Sequence, residues 1–428
     1  ENLININYQN NSGITGITDE FFCVYLYELL KKQNKNILVV VNSLYEANKI
    51  YSSLNNYTDD VFLFPMDDFL TSEAIAISPD LLISRMETIK NINSSVPKII
   101  ITNLMGYLRF LPTPEFYRDS IINISVRMSI EPKKLYQKLV NIGYNSETLV
   151  TKTGDVGLRG FVIDVFPLGE DNPYRIEFFG DEIESIRLFD TDTQKSLKNI
   201  KDLMVYPFSE FLIDENKNID DDYRKQKYLP KYNKVCSIGK YLEEPSVVYK
   251  DFSQLKTSFS HLQEEIETYR SDTDPSFSEK YMFDFSDIYF ENNLYYMSIN
   301  NISSDNKIKV FNYDVQKLDL FDENASLIND YIRKCLNENK TVIICLKEYQ
   351  IKNIIKILNM KFVETTIDNI FLNKVNIVNF DMTEGFIYSD YVFLSQREIF
   401  KEKVSRKKYK TKFKYASKIN DINKLNVG

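Results

Sequence analysis

Residues 154–190 (GDVGLRGFVIDVFPLGEDNPYRIEFFGDEIESIRLFD) alternate β-branched and aromatic runs with short polar turns, and this pattern restricts the possible folds more than any other stretch. It predicts three antiparallel strands joined in sequence, over residues 158–166, 174–179 and 183–189. Gly180 and Asp181 predict a two-residue hairpin turn between the last two strands, with a positive φ at the glycine. We therefore expect a rigid antiparallel sheet in this part of the chain.

The middle predicted strand carries an unusual pair of side chains on one face. Because successive residues of a strand point to opposite faces, Arg175, Glu177 and Phe179 share a face, and Arg175 and Phe179 stand roughly 13 Å apart on it. An exposed arginine and an exposed phenylalanine on a rigid face are typical anchors of a protein-binding surface. They are not typical of a catalytic site.

Length, charge and cysteine content limit the classes of function. The chain has 428 residues, which suggests about three domains of roughly 150 residues. Its net charge of −8 argues against non-specific DNA binding, because proteins that bind phosphates usually carry a basic surplus. Four scattered cysteines and a single histidine predict no zinc site and fit reduced thiols. The chain lacks an apolar run of about 18 residues and a natural start or end, so we expect part of a larger cytoplasmic protein.

Strand and helix patterns divide the chain into successive segments. In residues 1–119, short buried strands alternate with helices and predict a parallel α/β domain covered on both faces. Residues 120–208 contain the meander and predict an α+β domain, whereas residues 209–302 are expected to be irregular except for a helix near residues 253–269. Residues 307–400, which include a predicted strand at 308–312, predict a second, small α/β domain, and residues 401–428 form a basic linker.

The first glycine-containing turn before a helix, SGITGITDEFF, is the place to look for a phosphate-binding loop. In a P-loop the motif G-x-x-x-x-G-K-[ST] directs a lysine and a hydroxyl at the phosphates and Mg²⁺. Aligned on Gly13 and Gly16, this chain has Asp19 at the lysine position and Glu20 at the hydroxyl position. Two carboxylates repel a triphosphate. We therefore expect a degenerate, non-binding P-loop, in which the acidic residues begin a well-capped helix.

No other group of residues indicates catalysis. His261 is the only histidine, so any triad would depend on it, and its polar helical surroundings predict a surface position. Residues 401–418 carry nine Lys or Arg residues against one Glu. We interpret this run as a solvated linker or helix face, with contact to DNA phosphates or to an acidic partner as the alternative.

The motifs GLRGFVIDVFP and PYRIEFFGDEIESIRLFD, followed by DTQKSL, resemble a known domain. They are similar to domain 2 of the bacterial transcription-repair coupling factors, the Mfd family, a domain shared with the excision-repair protein UvrB. Residues 64–88 resemble that family's first domain, and SQREIF with the closing KINDINKLNVG resembles the approach to its RNA polymerase-interacting domain. The resemblance covers the whole chain. It implies a multi-domain α/β fold with a UvrB-like body, in which a helicase-like parallel α/β domain contains an inserted α+β domain and a small α/β domain follows.

Two departures separate the chain from UvrB itself. UvrB has a working P-loop, whereas Asp19 and Glu20 stand at the decisive positions here. UvrB also has a long aromatic β-hairpin for damaged DNA, and residues 65–97 are too short and too poor in tyrosine to form one. The resemblance therefore implies a UvrB-shaped body without its motor and its DNA probe, with no metal or nucleotide cofactor in this part of the protein.

The resemblance also implies a partner, UvrA. By motif, the family's UvrA-contacting residues fall on Arg159 in LRG, Arg175 in PYR and Phe179 in EFF. Arg159 joins the other two only if the strand register places it beside them. The alternative is that the arginines form surface salt bridges with Glu177 or Glu184, worth under about 1 kcal/mol.

Further expectations concern the longer protein that the resemblance implies. UvrA would be recruited to stalled RNA polymerase in transcription-coupled nucleotide excision repair. The missing C-terminal part would bind RNA polymerase and double-stranded DNA and would be an ATP-dependent translocase that uses ATP and Mg²⁺. Contact between domain 2 and the C-terminal domains would mask the UvrA-binding face and help to autoinhibit that motor. The competing hypothesis is an active, nucleotide-dependent helicase-like repair module.

Overall fold

The computed structural model describes residues 4–400 except 71–77, 93–94, 215–216, 218, 220–223, 289–292, 297–307 and 322. The described strands are, in chain order, β1 (Ser12–Thr15), β2 (Ile37–Val41), β3 (Val61–Phe64), β4 (Ile99–Asn103), β5 (Leu111–Pro112), β6 (Ile122–Ser125), β7 (Asn145–Ser146), β8 (Asp155–Arg159), β9 (Val162–Val165), β10 (Tyr174–Phe179), β11 (Glu182–Phe189), β12 (Ser196–Ile200), β13 (Asp202–Val205), β14 (Val235–Cys236), β15 (Ser246–Lys250), β16 (Asn293–Tyr296), β17 (Lys309–Asn312), β18 (Gln316–Lys317), β19 (Thr341–Leu346), β20 (Phe362–Thr365), β21 (Val375–Asn379), β22 (Phe386–Tyr388) and β23 (Tyr391–Leu394).

The described α-helices are α1 (Asp19–Gln33), α2 (Leu44–Leu54), α3 (Pro79–Ile92), α4 (Leu104–Tyr107), α5 (Pro114–Asp119), α6 (Pro132–Asn141), α7 (Leu229–Tyr232), α8 (Phe252–Thr273), α9 (Ala325–Asn337), α10 (Glu348–Ile357) and α11 (Gln396–Phe400). The described strands form one parallel sheet, two mixed sheets and two antiparallel pairs. The predicted multi-domain α/β fold class is confirmed. The division of the chain into five segments stays a prediction.

A seven-stranded parallel sheet organises the first part of the chain, in the order β17-β1-β16-β15-β2-β4-β3. Its strand β2 has the sequence ILVVV, and all five residues are buried. Leu38 and Val40 belong to one apolar core, whereas Ile37, Val39 and Val41 belong to another. The sheet is therefore covered on both faces, as continuous apolar strands require.

Strand β15 shows where the prediction for residues 209–302 is wrong. The helix predicted near residues 253–269 is present as α8. The rest was expected to be irregular, yet β15 lies inside the parallel sheet, between β2 and β16. Val247, Val248 and Tyr249 are fully buried in it. Only three apolar residues stand between Ser246 and Lys250 in β15, and so short a run does not distinguish a buried strand from other structure.

The meander lies in a six-stranded sheet of order β12-β11-β10-β9-β8-β7, and all its pairs are antiparallel except β7 with β8. The turn at Gly180 is confirmed, since β10 ends one residue before it and its φ is +61°. The single predicted strand over 158–166 is wrong. Gly160, also with a φ of +61°, and Phe161 turn the chain, so that β8 and β9 form a hairpin.

A third sheet, of order β18-β22-β23-β19-β21-β20, lies in the last part of the described chain. Helices α9 and α10 cover it through an apolar core that includes Ile328, Ile332 and Ile354. Strand β17, which we predicted at the start of the same segment, instead pairs with β1 of the first sheet. The residues that follow β17 along the chain therefore connect the first sheet to the third.

A buried ion triad ties the end of the meander segment to the first part of the chain. Glu210, which follows β13, contacts Arg85 of α3 at 2.6 Å and Arg109 at 2.7 Å. Burial of Glu210 would raise its pKa, but the charges of Arg109 and Arg85 outweigh that effect and lower it. Burial removes these charges from water, so the triad is stable only while all three side chains are present.

The described ranges contain neither a membrane-spanning helix nor a cluster of metal-binding side chains. No helix there is both long enough and apolar enough to cross a bilayer. No three side chains of His, Cys, Asp or Glu there lie together as a metal site requires.

Candidate partner-binding face of the antiparallel sheet

One buried carboxylate organises the face that carries the predicted site residues. Asp164 lies in β9, in register with Gly157 of β8 and with Arg175 of β10. It is 4% exposed. Because the three strands are neighbours, side chains from both β8 and β10 can reach it.

Both predicted arginines bind this aspartate. Arg175 donates to Asp164 through Nε at 2.8 Å and through Nη2 at 2.9 Å, and Arg159 donates to it through Nη2. The two-point contact holds the Arg175 guanidinium in one plane. Hydrogen bonding to Asp164 also raises the pKa of Arg175. The register therefore brings Arg159 and Arg175 together, which the sequence left open.

The alternative salt-bridge partners are not the ones we predicted. Glu177 accepts hydrogen bonds from Ser185 and from Arg187 instead. Arg175 makes two further contacts, a hydrogen bond of 3.0 Å to Gln194 and a cation–π contact at 4.4 Å from the ring centre of Phe189. The guanidinium is thus fixed on several sides before any partner arrives.

Phe179 completes the face at the end of β10. Burial alternates along this strand as predicted, with Ile176 and Phe178 buried and Phe179 81% exposed. The arginine, Glu177 and Phe179 therefore do share a face. A ring this open to water loses unfavourable hydration when a partner covers it.

The charge on the face is close to balanced. Three arginines (Arg159, Arg175 and Arg187) stand against three carboxylates (Asp164, Glu177 and Glu182, which pairs with Phe179), so these charges cancel. The Arg159 side chain is 52% exposed and that of Arg175 20% exposed. The guanidinium groups are held in fixed positions on the same face as an exposed aromatic ring. This combination is typical of surfaces that bind protein partners.

Phe161 was not among the predicted site residues, yet it is 60% exposed in the turn between β8 and β9. We expected it inside a strand, and its exposure follows from the turn at Gly160. The signal was present in the motif LRGF, where a glycine precedes an aromatic residue. His261, in contrast, lies at the surface as predicted, with 74% of its side chain exposed.

The residues of the predicted degenerate P-loop do not form a single loop. Gly13 is inside strand β1, and only Gly16, with a φ of +67°, belongs to the connection to α1. Thr18 caps the helix by accepting a hydrogen bond from the N–H of Phe21. The connection is tightly covered, since a side chain at Gly16 would meet Asn312 Oδ1 at 2.0 Å.

The two carboxylates that begin α1 both bind other parts of the chain. Asp19 forms ion pairs with Lys49 of α2 and, at 3.7 Å, with Lys250. Burial would raise the pKa of Asp19, but the hydrogen bond from Lys49 and the charge of Lys250 outweigh it and lower the pKa. Asp19 is thus neutralised by lysines of the chain itself.

Glu20 points into the contact between α1 and the third sheet. It is 2% exposed and accepts hydrogen bonds from the Tyr57 hydroxyl at 2.6 Å and from the Thr383 N–H at 3.4 Å. Burial raises the pKa of Glu20 to about 7, against the opposing effect of these two hydrogen bonds. Glu384 and Glu398 lie close enough to raise it further.

Residues 122–211, which contain the whole face, match the model of the UvrB interaction domain. The chain is 24% identical over 98% of its length to the transcription-repair-coupling factor of Staphylococcus epidermidis, of which it covers 41%. It is 31% identical over 47% of its length to that of Bacillus subtilis, of which it covers 17%, and 33% identical over 48% of its length to that of Staphylococcus aureus, of which it covers 18%. The chain spans about two fifths of the length of the first of these relatives. The predicted resemblance to these factors is confirmed.

Proposed function

We propose, from the UvrB interaction domain at residues 122–211 and the similarity to transcription-repair-coupling factors, that this chain recruits UvrA in transcription-coupled nucleotide excision repair. One observation carries the proposal: Phe179 is 81% exposed on the sheet face where Arg159 and Arg175 share Asp164. The face is preorganised for a protein partner.

The physical basis is the small cost of ordering this face on binding. Arg175 is already held by two hydrogen bonds to Asp164, so little side-chain entropy remains to be lost. Phe179 has two side-chain torsions and stands on a strand that pairs on both sides. Burying a phenylalanine contributes about 1.5–3 kcal/mol, which is the size expected of a hot spot.

Under the same proposal, the DNA-binding and ATP-hydrolysing activities of the longer protein belong to regions beyond this chain. In the longer protein, regions beyond this chain would bind RNA polymerase and double-stranded DNA and would hydrolyse ATP with Mg²⁺ as a translocase. This chain would then be the part that delivers UvrA to the stalled polymerase. Its own degenerate P-loop, with Asp19 and Glu20 bound internally, supports a non-enzymatic role.

A binding titration tests the proposal. Purified UvrA is titrated against the chain and against Arg159→Ala, Arg175→Ala and Phe179→Ala, and each change is expected to cost about 2 kcal/mol, or roughly 30-fold in affinity. Arg118→Ala is the matched control, since Arg118 is 55% exposed on α5, outside the sheet. Full capture of UvrA by the triple variant would refute the proposal.

The competing function is an active nucleotide-dependent module. It requires measurable affinity of the chain for ATP in the presence of Mg²⁺. The ion pairs of Asp19 with Lys49 and Lys250 count against it, because both lysines are already neutralised. Calorimetric titration with ATP and Mg²⁺ is expected to give no heat of binding, and a saturable signal would favour the competing function.

We also propose that the same face restrains the motor of the longer protein. Contact with C-terminal domains would cover Arg175 and Phe179 in the resting state, so UvrA and the motor would compete for one surface. Deleting residues 1–300 from the full-length protein is then expected to raise its ATPase rate. An unchanged rate would contradict this part of the proposal.

A further inference from the structure

The two turns of the antiparallel sheet that flank the predicted site have the same construction. Each is a two-residue turn led by a glycine with a φ of +61°, Gly160 between β8 and β9 and Gly180 between β10 and β11. Because β8 and β10 run in the same direction, both turns lie at the same end of the sheet. Apart from the adjoining residues of each turn, no heavy atom lies within 4 Å of the position that a Cβ would occupy at either glycine. The second turn is bound on one side only, where the Ile130 N–H donates to the Asp181 carbonyl at 2.7 Å.

Each turn also presents an open aromatic ring. Phe161 follows the first glycine and is 60% exposed, and Phe179 precedes the second and is 81% exposed. The two turns are neighbours, since the N–H of Phe178 donates to the carbonyl of Phe161 at 2.9 Å. Because adjacent strands lie about 4.8 Å apart, the two phenylalanines lie near each other at this end of the sheet. We call this end, formed by the turns at Gly160 and Gly180, the turn edge.

Strand alternation, extended into the first turn, assigns the two rings to opposite sides of the sheet. Phe179 shares the face of Arg175, whereas alternation along β9 assigns Phe161 to the side of Ile163, which is buried. Phe161 is nevertheless exposed because it lies in the turn itself. Arg159, half exposed, lies next to Gly160 on this edge. The edge thus combines two exposed apolar anchors with a cation.

We propose that Phe161 is a second aromatic anchor for UvrA and that UvrA binds across this turn edge, contacting both sides of the sheet. The inference rests on the proposed function, because it takes UvrA as the partner. It adds a contact residue, and it changes the geometry from a flat face to an edge that the partner encloses. The complementary surface on UvrA would supply apolar pockets for both rings and a carboxylate for Arg159.

The test is a titration of purified UvrA against the whole chain. Phe161→Ala is expected to weaken binding at least tenfold, as Phe179→Ala does. The matched control is Leu197→Ala, because Leu197 is 54% exposed on β12 of the same sheet, near its opposite end. It should change affinity less than twofold. Thermal unfolding of each variant should match that of the unchanged chain, since all three side chains are exposed.

The possible outcomes separate the inference from its premise. If the unchanged chain does not bind UvrA, both the proposed function and the inference fail. If Arg175→Ala and Phe179→Ala weaken binding while Phe161→Ala behaves like Leu197→Ala, the function stands and the edge contact is overturned. Loss of affinity in Phe161→Ala with an unchanged Leu197→Ala supports the edge contact.

Discussion

Glu20 is expected to make the stability of the contact between α1 and the third sheet depend on pH. Its carboxyl is 2% exposed, and burial raises its pKa from an ordinary 4.5 to about 7. Between these two values the folded chain holds a proton that the unfolded chain releases. The stabilisation by protonated Glu20 is therefore complete below pH 4.5 and is lost as the pH rises through 7.

The size of the effect follows from the pKa difference. Each pKa unit corresponds to roughly 1.4 kcal/mol, so a shift from 4.5 to about 7 corresponds to a total of about 3 kcal/mol. Most acidic groups titrate below pH 5, so the useful window is pH 6 to pH 8. Across it, linkage gives a loss of about 1 kcal/mol. Glu20→Gln should remove this loss, because the amide oxygen still accepts from Tyr57 and Thr383 but carries no charge at any pH.

Amide hydrogen exchange at Thr383 is the local assay. Its N–H donates to Glu20 across the contact. The ratio of its exchange rates in the unchanged chain and in Glu20→Gln cancels the chemical dependence of exchange on pH, as well as any contribution from His261. This ratio should rise several-fold from pH 6 to pH 8. The control is Glu115→Gln, at a glutamate whose side chain is 70% exposed on α5. A ratio that stays constant with pH would refute the reasoning that burial of Glu20 makes the contact sensitive to pH.

Three further changes test other parts of the structure. Glu210→Ala leaves the buried Arg85 and Arg109 without their carboxylate, and it should cost about 3–5 kcal/mol in urea denaturation; a loss below 1 kcal/mol would contradict the triad's role. Asp164→Asn should weaken UvrA binding about tenfold, although Asp164 itself is 4% exposed, because it removes the charge that positions the arginines; unchanged affinity would show that they need no such anchor. Ile101→Ala opens a cavity in β4, where Ile101 is 0% exposed, and it should cost about 2–5 kcal/mol in the same denaturation assay; a midpoint equal to that of the unchanged chain would contradict tight packing of the parallel sheet.

Strand alternation correctly placed Arg175 and Phe179 on one face, but it did not identify the carboxylate that binds the arginines. The placement of Arg175 with Phe179 followed from period two along one strand. Asp164 lies 11 residues before Arg175 and five after Arg159. Asp164 can bind both arginines only because the chain turns at Gly160. The largely apolar sequence FVIDVF predicted one continuous strand there, because apolar character alone does not mark where a short strand turns.

In the parallel sheet, too, the sequence predicted some strands but not others. Continuous apolar runs such as ILVVV predicted buried strands and a covered sheet, since only a strand surrounded on both faces can hold such a run. The same rule did not identify β15, whose five residues lie in a region without other strong patterns. Neither the insertion of β15 between β2 and β16 nor the pairing of β17 with β1 could be predicted, because both depend on pairing between distant segments.

The amino-acid sequence by itself determined the features that depend on neighbours along the chain. The turn at Gly180, the cap at Thr18 and the alternation that exposes Phe179 belong to this class. Only the tertiary structure decided the partners of the charged side chains. Asp19 meets Lys49 across 30 positions, and Glu20 meets Thr383 across 363. The physical reason is that a charge is satisfied by whichever group the packed chain brings within a few ångströms, and that distance is set by the packing of distant segments rather than by the local sequence.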